Sequence, residues 1–327
     1  MTLREAIAGL LDDPLDRVLA QAILGTTEVG EIASRVDAFI AAQLGREVIG
    51  CPLFIQSVGA VFGLDLDDGT RVVMKVHAFR DRWRGFTSLD QLDAVYAAQH
   101  DLAAAGLPCA RVVRPPVAFG AGVAAITSWL PPVERDDPHA PSTRRALAAF
   151  LARTVALGAA LPTRDRLLRS TLPPDAVFQP PHNELFDFSA PEGAWIDEHA
   201  RRARAVLDEP MPLVVMHTDV SCANMLVAGG AVVAAYDMDS IAWIDEARCL
   251  GSVAVHFTYT GEPDSRWPGR DQALAFVDDY EAERGARFTA RERARIEAAM
   301  TYAIAYTARC ERGTGAMAEQ LALRRIR

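Results

Sequence analysis

One stretch of the sequence, Val214-Val215-Met216-His217-Thr218-Asp219-Val220-Ser221-Cys222-Ala223-Asn224-Met225-Leu226-Val227, sets polar side chains in the pattern H-x-D-x-x-x-x-N between two apolar runs. The second run continues to Ala228, turns at Gly229-Gly230 and returns as Ala231-Val232-Val233, the pattern of a two-residue hairpin. Counting through that turn sets Asn224 roughly opposite Ala235, with Asp237 just past the pair at the same end. Asp219, Asn224 and Asp237 are therefore expected to converge beyond the apolar strands.

Residue types of this kind suit one chemistry in particular. Hard Mg²⁺ prefers carboxylate and amide oxygens, and phosphoryl transfer needs cations that bridge nucleotide phosphates. Asn224 and Asp237 can supply such ligands. Asp219 is then left to orient an acceptor hydroxyl and to take its proton late in the transfer. The alternative is a structural turn with Asp237 and Asp239 as strand-end caps. Cys222, inside the loop, is either a packed thiol or one open to alkylation.

The 327 residues suffice for two compact lobes, and the net charge of −9 argues against a general nucleic-acid binder. That charge suits a cationic small-molecule partner. The five cysteines are widely spaced without a CxxC pair, which reads as reduced thiols in a cytoplasmic protein with no zinc site. No apolar stretch reaches the length of a membrane span. Of the 34 basic residues only Lys75 is a lysine. GC-biased codons account for the arginines. Retention of one lysine points to a site that needs a compact ammonium, not a planar fork.

Periodicity predicts helices over residues 1 to about 45, interrupted at Asp12-Asp13-Pro14. Strands follow from Cys51, through Ser57-Val58-Gly59 to Val61–Leu64, then across Asp67-Asp68-Gly69 to Val72–Val76, which carries Lys75. A helix over 89–105 and strands at 111–113 and 123–129 complete this part. Beyond it the chain reads as mainly helical: 144–161, 195–207, 271–284 and 290–311, with a short β segment at 213–237 and an irregular stretch at 172–190. The expected domains are a helical extension at 1–48, a nucleotide-binding lobe at 49–130 and a catalytic, acceptor-binding lobe at 131–327.

The 217–224 segment resembles the catalytic loop of the aminoglycoside phosphotransferase family, H-G-D-x-x-x-x-N, and Tyr236-Asp237-Met238-Asp239 resembles that family's following I-D-[FWY]-[DE] element. The resemblance implies an α+β, bilobal protein-kinase-like fold, with a small antiparallel-sheet lobe and a larger, mainly helical one. It implies an ATP- and Mg²⁺-dependent kinase of a small-molecule hydroxyl, in a family spanning antibiotic resistance enzymes and kinases of choline, homoserine and sugars. Asp219 would be the catalytic aspartate, Asn224 and Asp237 metal ligands, and His217 a keeper of loop geometry. Ser57 and Gly59 would cover the nucleotide phosphates, Lys75 would contact them, and Ser128 and Leu130 would offer hinge backbone to the base. Acceptor contacts would come from among Asp245, Glu246, Asp278, Asp279, Glu281, Glu311 and the His182–Asp187 loop.

Two departures stand out. Thr218 occupies a position the family gives to glycine. The helix glutamate that usually pairs with the lysine has no clean counterpart among Gln91, Asp93, Val95 and Gln99. Both leave room for a second reading, a nucleotide-binding regulatory module of weak catalytic power. The sequence has no D-F-G, and its one A-P-E tripeptide, Ala190-Pro191-Glu192, precedes the 217–224 loop where protein kinases place it after, so the protein-kinase signature set is missing.

Overall fold

The computed structural model describes residues 1–79, 86–181, 185–186, 188–189, 193–311 and 315–323. The chain forms two compact units: Met1–His100 with Ala110–Pro131 and Pro180–Phe186, and Asp101–Cys109 with Pro132–Gln179 and Asp187–Arg327.

The first unit opens with three helices, α1 (Leu3–Leu11), α2 (Pro14–Leu24) and α3 (Val29–Leu44). Thr2 and Glu5 close a capping box on α1. The Asp12-Asp13-Pro14 break is a restart: the Asp13 carboxylate accepts from the Leu15 N–H at 2.8 Å, and Pro14 takes the first turn, where its missing N–H does no harm. Strands β1 (Val48–Gln56), β2 (Ala60–Leu66) and β3 (Arg71–His77) follow, then helix α4 (Leu89–Ala104), β4 (Val112–Phe119) and β5 (Gly122–Ser128). They form one antiparallel sheet in the order β1-β2-β3-β5-β4.

One sheet face packs against α1–α3. Ile7, Ile32, Val36 and Ile40 join Phe54, Phe62, Leu64 and Met74 in a single core, where Phe54 stacks on Phe62 at 4.3 Å. Each such side chain contributes about 1.5–3 kcal/mol on burial. The helices are thus built into the unit's core, which the sequence pattern did not reveal. β4 also runs beyond the expected Arg111–Val113, through Pro115-Pro116 to Phe119. It is an edge strand, so two missing N–H donors are tolerated there.

The second unit contains α5 (Pro141–Gly158), α6 (Ala194–Leu207), β6 (Leu213–His217), β7 (Met225–Ala228), β8 (Ala231–Ala235), β9 (Ile241–Asp245), α7 (Glu246–Ala254), α8 (Arg270–Arg284), α9 (Ala290–Cys310) and α10 (Ala316–Leu323). β6 pairs antiparallel with β9, and β7 with β8. Two glycines permit close packing. A β-carbon on Gly158 would stand 2.7 Å from Val215 Cβ, bringing α5 hard against β6. One on Gly251 would stand 2.4 Å from the Ile296 carbonyl oxygen, bringing α7 against α9. Both contacts stiffen the frame around β6 and β9. Among the described residues no helix is long and apolar enough to cross a membrane.

Candidate active site

β6 ends at His217, which has no exposed surface. The Asp219 N–H donates to its Nδ1 at 3.2 Å, so Nε2 carries the proton and donates to the Tyr236 carbonyl at 3.1 Å. Burial, the largest influence, lowers the imidazole pKa, against the opposing charges of Asp219, Asp237 and Asp239. A neutral ring with both nitrogens engaged cannot serve as a base. His217 instead ties the Asp219 turn to the strand end that leads into Asp237.

The Asn224 side-chain nitrogen donates to the Asp219 carbonyl at 2.9 Å and to its carboxylate Oδ2 at 2.7 Å. That commitment turns the amide oxygen of Asn224 away from Asp219. The Asn224 carbonyl accepts from the Tyr236 N–H at 2.8 Å. The expected register is therefore corrected by one residue: Met225, not Asn224, faces Ala235. A bulge causes the shift. Leu226 faces Ala234 and Val227 faces Val232, which leaves Val233 as the extra residue. The bulge sets Asn224 beside Tyr236, one step nearer Asp237.

Asp237 has φ 52° and ψ 40°, the one left-handed residue other than glycine among the described residues. Aspartate tolerates this region better than most side chains, but a residue kept there must be held by its surroundings. Here the Ser240 N–H donates to the Asp237 carbonyl at 2.9 Å. The available donors, a carboxylate and an amide oxygen, are the hard ligands that Mg²⁺ takes, so the residues present fit such an ion.

The 218–224 loop is anchored from outside as well. Cys222 N–H donates to Phe257 O at 2.9 Å, Ala223 N–H to Tyr259 O at 2.7 Å, and the Arg135 guanidinium reaches Cys222 O at 3.4 Å. Cys222 is buried, and burial pushes its thiol up to about 12. It is a packed thiol, which settles the choice the sequence left open. Thr218 does not take the left-handed backbone that would call for glycine.

In the first unit, strand register places Ile55, Val61, Lys75 and Ala125 in one cross-strand row. This row lies on the face opposite Phe54, Phe62, Met74 and Ile126, which belong to the helix-packed core. Ser57 and Gly59 form the β1–β2 turn, where the Ser57 N–H donates to Gly59 O at 3.0 Å. Gly59 lies over the end of β3, beside Lys75. At the far end of β5, the Ser128 N–H donates to Arg111 O at 2.8 Å, and the Ser128 hydroxyl accepts from the Arg111 N–H at 3.0 Å. Leu130 lies two residues beyond, half-buried. Between them Trp129 packs over Gly63 and carries Arg71 above its ring at 5.0 Å.

Two of the candidate helix partners of Lys75 make other hydrogen bonds. Gln91 accepts from Thr87, and Gln99 donates to Ala110 O at 2.7 Å. The acceptor-site acids are engaged too. Asp245 pairs with Arg295, Glu246 accepts from Tyr280 at 2.8 Å, and Asp279 pairs with Arg144 at 2.7 Å. Asp278 and Glu281 share Arg293, and Glu311 accepts from the Met317 N–H at 3.0 Å. None of these partners could be read from position in the sequence. His182, Asn183, Glu184 and Asp187 lie outside the described residues; Leu185 packs against the first unit's core.

The model of the phosphotransferase enzyme family, APH, matches residues 60–309. No curated protein sequence matches the chain. Among solved structures, the amicoumacin kinase hAmiN, in complex with AMP-PNP, Ca²⁺ and Ami, is 12% identical with a TM-score of 0.60, covering 90% of this chain and 93% of its own. Macrolide 2'-phosphotransferase MphH from Brachybacterium faecium is 16% identical with a TM-score of 0.51, covering 88% and 97%. Spectinomycin phosphotransferase APH(9)-Ia, with ADP and spectinomycin, is 11% identical with a TM-score of 0.55, covering 86% and 87%. At these identities the likeness is one of fold, the protein-kinase-like fold of such phosphotransferases. The family match spans most of the chain, both β2–β3 with Lys75 and the Asp219–Asp237 segment, and the chain therefore belongs to the phosphotransferase enzyme family.

Proposed function

We propose that this protein transfers the γ-phosphoryl group of ATP to a hydroxyl of a small molecule, with an antibiotic as the first class to consider and a metabolite as the second. The observation that carries the reading is the Asp219 carboxylate, fixed at 2.7 Å by the Asn224 amide in a turn hydrogen-bonded to the strand end before Asp237.

In this reading the acceptor hydroxyl donates to Asp219, which aligns its oxygen for in-line attack and takes the proton as the new O–P bond forms. Asn224 and Asp237 would hold Mg²⁺, which when bound offsets charge on the phosphate oxygens. Lys75 neutralises further phosphate charge, and the Ser57–Gly59 turn covers it with backbone. The Ile55/Val61/Ala125 row offers an apolar shelf for the base. With the Ser128 N–H committed to Arg111, backbone recognition of the base falls to Leu130.

The antibiotic class is supported by what the solved neighbours are named for: amicoumacin, macrolides and spectinomycin. The regulatory-module reading loses one of its two supports, since Thr218 fits its backbone without the freedom of glycine.

The test is ADP release measured across aminoglycosides, macrolides, spectinomycin and amino alcohols. With a true acceptor, Asp219→Asn is expected to lower turnover by about 10²–10⁴-fold while nucleotide affinity holds. Asp237→Asn, which suits the left-handed backbone, is expected to weaken metal-dependent nucleotide binding instead. ATP bound but unconsumed over the whole panel would favour the regulatory module. Wild-type turnover in Asp219→Asn would overturn the role given to that residue.

A further inference from the structure

The carbonyl oxygen of Ser240 accepts two hydrogen bonds from one residue. The Thr218 backbone N–H reaches it at 3.0 Å and the Thr218 hydroxyl at 2.9 Å. Ser240 in turn donates its N–H to the Asp237 carbonyl at 2.9 Å. Thr218 directly precedes Asp219. A two-step path of hydrogen bonds therefore joins the residue next to Asp219 with the left-handed Asp237. We propose that Thr218 is a positioning residue: its hydroxyl locks the Asp219 turn to the Asp237–Ser240 turn and so fixes the distance between the two carboxylates. The inference rests on the phosphotransfer reading of Asp219 and Asp237.

Two other bridges join the same segments, His217 Nε2 to Tyr236 O and Tyr236 N to Asn224 O. Both end on Tyr236, before Asp237. Neither restrains the residues after it. On the other side the β6–β9 ladder runs as far as His217 opposite Ile241, and Thr218 extends it by one residue to Ser240, so that Asp237 is held between Tyr236 and Ser240. A glycine at 218 would keep the backbone bond but lose the hydroxyl and gain conformational freedom. The β-branched side chain removes that freedom and adds a donor. Geometry matters here because transfer depends on near-attack alignment, where displacements of about 1 Å can cost 10²-fold in rate.

The variants that separate these effects are Thr218→Val, which keeps the branched shape without the hydroxyl, Thr218→Ser, which keeps the hydroxyl, and Asp219→Asn. Two quantities are read: amide hydrogen exchange of the nucleotide-free protein, and acceptor-independent ADP release from Mg·ATP, in which water takes the phosphoryl group. Thr218→Val is expected to exchange faster at 218–224 and 237–240, with the rest of the chain and the melting temperature unchanged. Its ADP release is expected to fall about tenfold at near-constant KM for ATP. Thr218→Ser is expected to restore both. Wild-type exchange and ADP release in Thr218→Val, beside an inactive Asp219→Asn, would remove the role of Thr218 and leave the phosphotransfer reading standing. Wild-type ADP release in Asp219→Asn would remove the role given to Asp219, and with it the basis of the inference.

Discussion

Gly59 lies directly against Lys75: a β-carbon built on the glycine would stand 3.7 Å from Lys75 Cε and 2.6 Å from the carbonyl oxygen of Val76, the next residue on β3. Its φ is outside the left-handed region, so proximity alone makes the demand. Backbone in a central strand cannot yield as a flexible side chain would, and the turn must lift instead.

Gly59→Ala is therefore expected to destabilise the first unit by about 1–3 kcal/mol, the usual range for overpacking. It should also weaken nucleotide binding, because the Ser57–Gly59 backbone moves away from Lys75. Thermal unfolding and a fluorescence titration with Mg·ATP measure the two effects. Unchanged affinity in a folded Gly59→Ala protein would separate this turn from the nucleotide site.

Lys75 allows a test that few proteins permit, since it is the one lysine in the sequence. An amine-reactive ATP analogue is expected to label this side chain, and excess Mg·ATP to slow the labelling. Lys75→Arg keeps the charge but replaces a compact ammonium with a wider planar fork, and is expected to reduce transfer by about tenfold or more. Labelling that ATP does not slow, together with full activity in Lys75→Arg, would make the residue an ordinary strand lysine.

The sequence disclosed some of this site readily and some not at all. The β7–β8 hairpin was legible because Gly229-Gly230 interrupts two apolar runs, and both glycines take positive φ. The bulge at Val233 was not, because valine suits either a paired or an extra position and the register is decided by contacts outside the hairpin. β9 is only five residues long and follows a polar turn, so nothing in its periodicity marked it. Yet β9 flanks β6 and helps fix His217. The left-handed backbone of Asp237 carries no pattern of its own. The ion pairs of the second unit were not legible either: Asp245, Asp279 and Glu281 are engaged by arginines from elsewhere in the sequence.

His256 supplies a pH-dependent test of the second unit's packing. Its ring is half-buried, but both nitrogens point inward: Nδ1 donates to Ser252 O at 2.9 Å, and Nε2 accepts from the Thr307 hydroxyl at 2.9 Å. These partners suit the neutral ring, and burial lowers its pKa from 6.5 to about 4. Above pH 6.5 the ring is neutral whether the chain is folded or unfolded, and its full contribution to stability is present. As the pH falls below that value the unfolded chain binds a proton that the folded protein refuses until about pH 4, so stability declines across this window. The slope from one such group is at most ~1.4 kcal/mol per pH unit, and His217, also lowered by burial, adds to it with the same sign. His256→Asn retains a donor for the Ser252 carbonyl and removes the titration. Denaturant unfolding at pH 7 and pH 5 should show wild type losing more stability than His256→Asn, by about 1–2 kcal/mol. Equal losses in the two proteins would mean that His256 takes up its proton as readily in the folded state as in the unfolded chain.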